Sequence, residues 1–154
     1  RFKEDDIRAM GRTAAGVRGI KLREGDYVVD MEILEEGQEI LVVTEKGYGK
    51  RTPESEYRLQ SRGGVGIKTI QVTEKNGPMC AVKTVNGTED VMLITINGML
   101  IRMDINDISV IGRNTQGVRL IRLADDELVA TVAKLKKEDE AEMDDSVESE
   151  ETAE

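Results

Sequence analysis

The chain contains no histidine, one cysteine, one phenylalanine and three tyrosines among its 154 residues. Each shortage closes a class of function. Histidine is the commonest general base at neutral pH and the commonest metal ligand, so no conventional hydrolase triad can be assembled without it. A single cysteine, Cys80, excludes a disulfide scaffold and a cysteine-rich metal site, and fits a reducing cytoplasm. Set in Pro78-Met79-Cys80-Ala81-Val82, it reads as a small core residue. Aromatics make up 3%, which argues against a single-strand nucleic-acid binder, because such proteins stack bases on rings. No apolar run approaches the ~20 residues that a membrane-spanning helix needs. The opening Arg1-Phe2-Lys3-Glu4-Asp5-Asp6 is not a signal peptide.

What is abundant is charge, with 31 acidic and 22 basic residues and a formal net charge of −9. Taken whole, that value argues against a polyanionic partner. Its distribution says otherwise. Ten acids and no base lie in residues 138–154, leaving 21 acids against 22 bases over residues 1–137. Residues 138–154 cannot bury enough apolar surface to offset ordering and their charges repel, so a disordered acidic tail is expected there. Such a tail either solubilises the chain or competes for a basic surface of the body.

The body repeats itself. Gly11-Arg12-Thr13-Ala14-Ala15-Gly16-Val17-Arg18-Gly19-Ile20-Lys21-Leu22 returns as Ser61-Arg62-Gly63-Gly64-Val65-Gly66-Ile67-Lys68-Thr69-Ile70-Gln71-Val72, and again as Gly112-Arg113-Asn114-Thr115-Gln116-Gly117-Val118-Arg119-Leu120-Ile121-Arg122-Leu123. The offsets are 50 and 51, and they also relate Arg1, Arg51 and Arg102, and Ile7, Tyr57 and Ile108. Repeats are therefore placed near residues 11–60, 61–111 and 112–137, with 1–10 ending a preceding one.

Within a repeat the runs are β-rich. Strands are expected at residues 27–34, 39–44 and 48–52, then at 79–85, 91–96 and 99–103. Shorter runs are expected at Ile20-Lys21-Leu22 and its two copies. Glu36-Gly37, Lys46-Gly47 and Asn86-Gly87 mark turns, and Asn97-Gly98 suggests a type I′ hairpin. About four short antiparallel strands per ~50-residue unit is the pattern of a propeller-like blade, so the fold class is all-β. A propeller ring needs ~4 to 8 blades, so the chain is expected to be the C-terminal piece of a longer protein.

Catalytic motifs fail. Gly63-Gly64-Val65-Gly66 lacks the Lys-Ser/Thr ending of a phosphate-binding loop and reads as a turn. The acids between Met31 and Glu39 read as a solvated strand face. The cations are more telling, because they recur at fixed positions: Arg12, Arg62 and Arg113 at one, Arg18, Lys68 and Arg119 at another. Lys21 and Arg122, in the run after the motif, complete the candidate set. Equivalent positions in stacked repeats lie at equivalent places on the surface, and a regular row of cations suits the phosphate backbone of duplex DNA. The competing reading is structural, with glycine shaping a turn and arginine pairing with an acid such as Glu4 or Asp107. Strand parity with Ile20 and Leu22 turns Arg18 towards the core, which favours the Arg12 set for phosphate contact.

The glycine motif and its ~50-residue period resemble the C-terminal domain of the DNA gyrase A protein over essentially all of residues 1–137. The resemblance implies a β-pinwheel whose rim wraps duplex DNA, so that an ATP-dependent type II topoisomerase introduces negative supercoils. It implies the gyrase B protein and a second gyrase A protein as partners through regions outside this chain. It also implies ATP and Mg as cofactors of the holoenzyme only, a bacterial cytoplasmic location, and no catalytic residue here. The family's hallmark box has three basic positions. Gln60-Ser61-Arg62-Gly63-Gly64-Val65-Gly66 keeps Gln60, Arg62 and the glycines but has Ser61 and Val65 at two of them. That marks it as a later-blade copy. The related domain of the topoisomerase IV A protein, and a propeller-type protein-interaction module, are the alternatives.

Overall fold

The computed structural model describes residues 1–137; the expected acidic tail at 138–154 lies outside them. Among the described residues there are seven strands, three single 3-10 turns and no α-helix: β1 (Glu39–Thr44), β2 (Tyr48–Pro53), β3 (Met79–Val85), β4 (Glu89–Thr95), β5 (Leu100–Asp104), β6 (Val118–Arg119) and β7 (Val129–Lys136). The all-β expectation holds. The 3-10 turns fall at Glu4–Asp6, Glu54–Glu56 and Ile105–Asp107. Each is closed by the N–H of Ile7, Tyr57 or Ile108, the repeated position seen in the sequence, at 2.8, 3.0 and 3.1 Å.

The strands form two antiparallel sheets, one in the order β3-β1-β2-β6 and the other β5-β4-β7. Neither sheet belongs to one repeat. Hairpin β1-β2 comes from the first repeat, and is flanked by β3 from the second and β6 from the third. Hairpin β4-β5 comes from the second and takes β7 from the third. Each hairpin thus borrows a strand from the repeat that follows, with the same bulge at Val43/Thr44 and at Ile94/Thr95. Both hairpins also turn in the same way. Gly47 N–H bonds Thr44 O and Gly98 N–H bonds Thr95 O, each at 3.0 Å, and the glycines have φ of 76° and 85°. Asn97 does not have positive φ, so the turn is not type I′. It is the three-residue loop in which a left-handed glycine follows the turn.

Two further expectations are corrected. Residues 27–34 form no strand, and Tyr27 and Met31 are 67% and 83% exposed. Their copies β3 and β7 pair with the first strand of a preceding hairpin, whereas β1 already has partners on both edges. The segment instead reaches β3 by side chains, Lys83 donating to Asp30 at 2.9 Å and Glu32 at 2.8 Å. Ile20-Lys21-Leu22 and its copies form no ladder either. The third motif pairs just ahead of that run, through Val118 and Arg119.

One core spans both sheets, built on Leu41, Val43, Val85, Val91, Leu93, Ile108, Val129 and Val132. β1 sits inside its sheet and is buried on both faces from Leu41 to Thr44, matching its unbroken apolar run. β4 alternates, burying Val91, Leu93 and Thr95. Cys80 is half-buried beside this core, its thiol donating to Val43 O at 3.5 Å, and burial pushes its pKa up to about 12.

Candidate nucleic-acid interface

The glycine motif is a docking device before it is anything else. Gly16, Gly66 and Gly117 all hold a left-handed conformation, with φ of 81°, 78° and 77°. At Gly117 the space for a Cβ is already filled, since Gly49 O would lie 2.9 Å from it. This contact lays the third motif on β2. Successive motifs are then tied by backbone bonds: Gly63 N–H to Gly19 O and Lys21 N–H to Gly64 O, both 2.8 Å, and Gln71 N–H to Thr115 O at 2.9 Å.

The first cation set contributes to the same seam. The Arg62 guanidinium donates to Arg18 O at 2.5 Å and to Asp6 O at 3.2 Å. Arg113 donates to Lys68 O, the equivalent carbonyl one repeat later. Both are half-buried, whereas Arg12, Arg18, Lys21, Lys68, Arg119 and Arg122 are exposed. Without a continuous strand, parity does not turn Arg18 inward. All three members of the Arg18 set are therefore exposed, whereas only Arg12 of the first set is. The hydrogen bonds also bring Arg18 beside Arg62, and Lys68 beside Arg113, so cations of neighbouring repeats adjoin.

Pairing separates the repeated cations into two kinds. Arg1, Arg51 and Arg102 each meet a carboxylate, on Glu54, Glu39 and Asp90 respectively, with the latter two contacts at 2.8 and 2.7 Å. None of the eight candidate cations forms an ion pair among the described residues, and neither Glu4 nor Asp107 takes one. The structural alternative is thus met by backbone carbonyls at Arg62 and Arg113, and by carboxylates at a different position altogether. The surface cavity of about 280 Å³ between Tyr27, Val28, Cys80 and Ile96 has Glu45 as its one charged lining residue. It is no place for a polyanion.

Three contributors escaped the sequence reading. Lys50, on β2, is completely buried and donates to Gly112 O at 2.7 Å, to Arg113 O, and to Thr115 Oγ1 at 3.1 Å. Burial holds its pKa down at about 8, with the Arg113 charge adding to the effect against the opposing pull of Glu56. It pins the loop that carries Arg113. Tyr48 accepts two hydrogen bonds from Arg119, at 2.9 and 3.2 Å, and lies beneath Lys75. The signals were departures from the repeat: Lys50 stands where the next copy has Ile101, and Lys75 where the other copies have Gly25 and Asp126.

A family model described as the DNA gyrase C-terminal domain, a beta-propeller, matches residues 1–35, 38–77 and 89–136. The chain belongs to this family. The DNA gyrase A protein of Staphylococcus epidermidis strain ATCC 12228 is 56% identical over 142 residues, covering 91% of the chain and 16% of that protein. The DNA gyrase A protein of Staphylococcus aureus strain MRSA252 is 54% identical over 147 residues, covering 94% of the chain and 17% of that protein. The chain therefore spans about a sixth of these relatives. Among solved structures, a DNA gyrase A C-terminal domain superposes with a TM-score of 0.80 at 28% identity, over 87% of this chain and 46% of the other. The C-terminal domain of a DNA topoisomerase IV superposes at 0.81 over 88% and 42%, and at 24% identity it shares the fold alone. The gyrase family is thus carried by both sequence and fold. No helix among the described residues is long and apolar enough to cross a membrane.

Proposed function

We propose that this chain binds and bends duplex DNA as the wrapping domain of the DNA gyrase A protein. In that role it sets the DNA crossing on which an ATP-dependent type II topoisomerase acts when it introduces negative supercoils. The observation that carries the reading is the division of repeated cations. One repeat position is neutralised by carboxylates, while Arg12, Arg18, Lys21, Lys68, Arg119 and Arg122 remain exposed and unpaired by acids among the described residues.

Unpaired cations at regular intervals supply affinity through counterion release, without reading sequence. Smoothly bending 20–30 bp by 40–90° costs on the order of 1–6 kcal/mol, so several contacts must act together. The gyrase B protein, a second gyrase A protein, ATP and Mg enter through the rest of the enzyme in the bacterial cytoplasm. The ten acids of residues 138–154 compete for the same cations at low salt.

Arg12→Ala, Arg18→Ala and Lys68→Ala remove cations that make no side-chain hydrogen bond to the described residues. Each is expected to make the salt dependence of duplex binding shallower by about 0.9 in a plot of log affinity against log salt. In the full-length gyrase A protein the triple variant should lose DNA bending and supercoiling together. Unchanged slopes and unchanged bending would refute the reading.

A further inference from the structure

We propose that Tyr48 builds a composite phosphate site from Arg119 and Lys75, two cations that reach it from different repeats. The proposal rests on the DNA-wrapping reading and goes beyond it by naming a preorganised contact and a residue, Lys75, that has no cationic counterpart in the other copies.

Tyr48 opens β2, and its side chain is 7% exposed, so the ring is fixed by its surroundings. Its hydroxyl accepts from Arg119 Nε at 3.2 Å and from Nη2 at 2.9 Å. The Arg119 carbon lies 5.5 Å from the ring centre. A neutral acceptor orients the guanidinium without cancelling its charge, and Nη1, which makes no hydrogen bond to the described residues, keeps its donors for an anion. Lys75 Nζ lies 5.7 Å from the centre of the same ring, within the range in which a ring face attracts an ammonium.

The turn bearing Lys75 is itself held in place. Asn76, 1% exposed, bonds Thr73 N–H and donates to the carbonyls of Gln71 and Gln116, the latter in the third repeat. Lys46, from the first hairpin, donates to Glu74 O beside Lys75. Lys75 and Arg119, from two repeats, therefore converge on a ring supplied by a third, with Lys46 beside the turn that bears Lys75. Among the described residues none of these three meets a carboxylate, Glu74 included.

Two long cations normally lose rotamer freedom when they bind. Here much of that ordering is done in the folded protein, and the fork geometry of arginine suits a phosphate oxygen pair. The ligand is the phosphodiester backbone of duplex DNA, contacted at one point by Arg119 and Lys75 together.

The test is a salt titration of the full chain on a fluorescent duplex of about 30 bp, comparing the native sequence with Lys75→Ala, Arg119→Ala, Tyr48→Phe and the double variant Tyr48→Phe/Arg119→Ala. Lys75→Ala and Arg119→Ala should each make the log–log slope shallower by about 0.9 and weaken binding about eightfold at 0.1 M salt. Tyr48→Phe keeps the ring and removes the acceptor, so affinity should fall about threefold with the slope unchanged, in the range of one lost hydrogen bond. In the Arg119→Ala background it should have no further effect; a persistent effect would overturn the orienting role. Full affinity and slope in Lys75→Ala, alongside shallower slopes for Arg12→Ala and Arg18→Ala, would overturn this site while leaving the DNA reading intact. No salt-dependent binding by the native chain would overturn both.

Discussion

Lys50→Met exchanges a fully buried ammonium for an uncharged chain of similar length. Burial holds the Lys50 pKa at about 8 against the ordinary 10.5, so the folded chain gives up this proton at lower pH than the unfolded chain. Below pH 8 both states carry it and the cost of burying charge is present in full. Between about pH 8 and 10.5 the unfolded state binds more protons, and stability rises with pH. Working the two titrations through, the step from pH 7 to pH 9 adds about 1.3 kcal/mol to the native chain from this group alone. Gly112 and Arg113, which cover the ammonium, are half-exposed, so solvent screening makes that an upper value.

At pH 7 the variant leaves Gly112 O, Arg113 O and Thr115 Oγ1 without this donor. Those losses outweigh the relief of desolvation, for a net cost of about 1–3 kcal/mol. Urea unfolding of both chains at pH 7, 8 and 9 measures the difference, in which the titrations of Cys80, Lys83 and Tyr57 cancel. The stability gap should widen by about 1 kcal/mol across that range. A constant gap would show that the ammonium is solvated and that the pin on the third motif does not exist.

Gly117→Ala puts a methyl group against Gly49 O at a φ of 77°, and should cost about 2–4 kcal/mol in urea unfolding. Gly16→Ala, with φ of 81° and nothing within 4 Å, should cost only about 1–2 kcal/mol; equal losses would mean the docking contact carries no weight. With its thiol pKa pushed up to about 12 by burial, Cys80 should react with a thiol reagent at pH 8 about a thousandfold more slowly than in the urea-unfolded chain. Comparable rates would remove the core assignment.

The hairpins were legible because local signals agree: unbroken or alternating apolar runs bounded by a glycine turn, as in residues 39–53. Residues 27–34 have equal β-propensity and form no strand, because propensity names a candidate and a partner edge decides. Asn97-Gly98 announced a turn but not its type, which depends on how many residues the flanking strands leave over. Arg62 and Arg18 were visible as repeated cations. That the first is half spent on a carbonyl and the second is exposed depends on seam geometry, not on spacing. Tyr48 looked like an ordinary strand aromatic, and its role appears only when Arg119, 71 residues away, is seen to lie against it.

The borrowing of strands alters how the array holds together. In a simple stack each unit leans on its neighbour alone, and an end unit can fray without disturbing the rest. Here β2 is bonded to β6 and β4 to β7, so removing residues 112–137 would strip an edge from both sheets at once. The units are overlapped like roof shingles, each fastened by the ones laid after it. Such a chain is expected to unfold in one cooperative step and to fold slowly, since its pairings span long stretches of sequence. Lengthening or shortening the array by part of a unit would leave a strand with no edge to join, so change in unit number must come in whole periods.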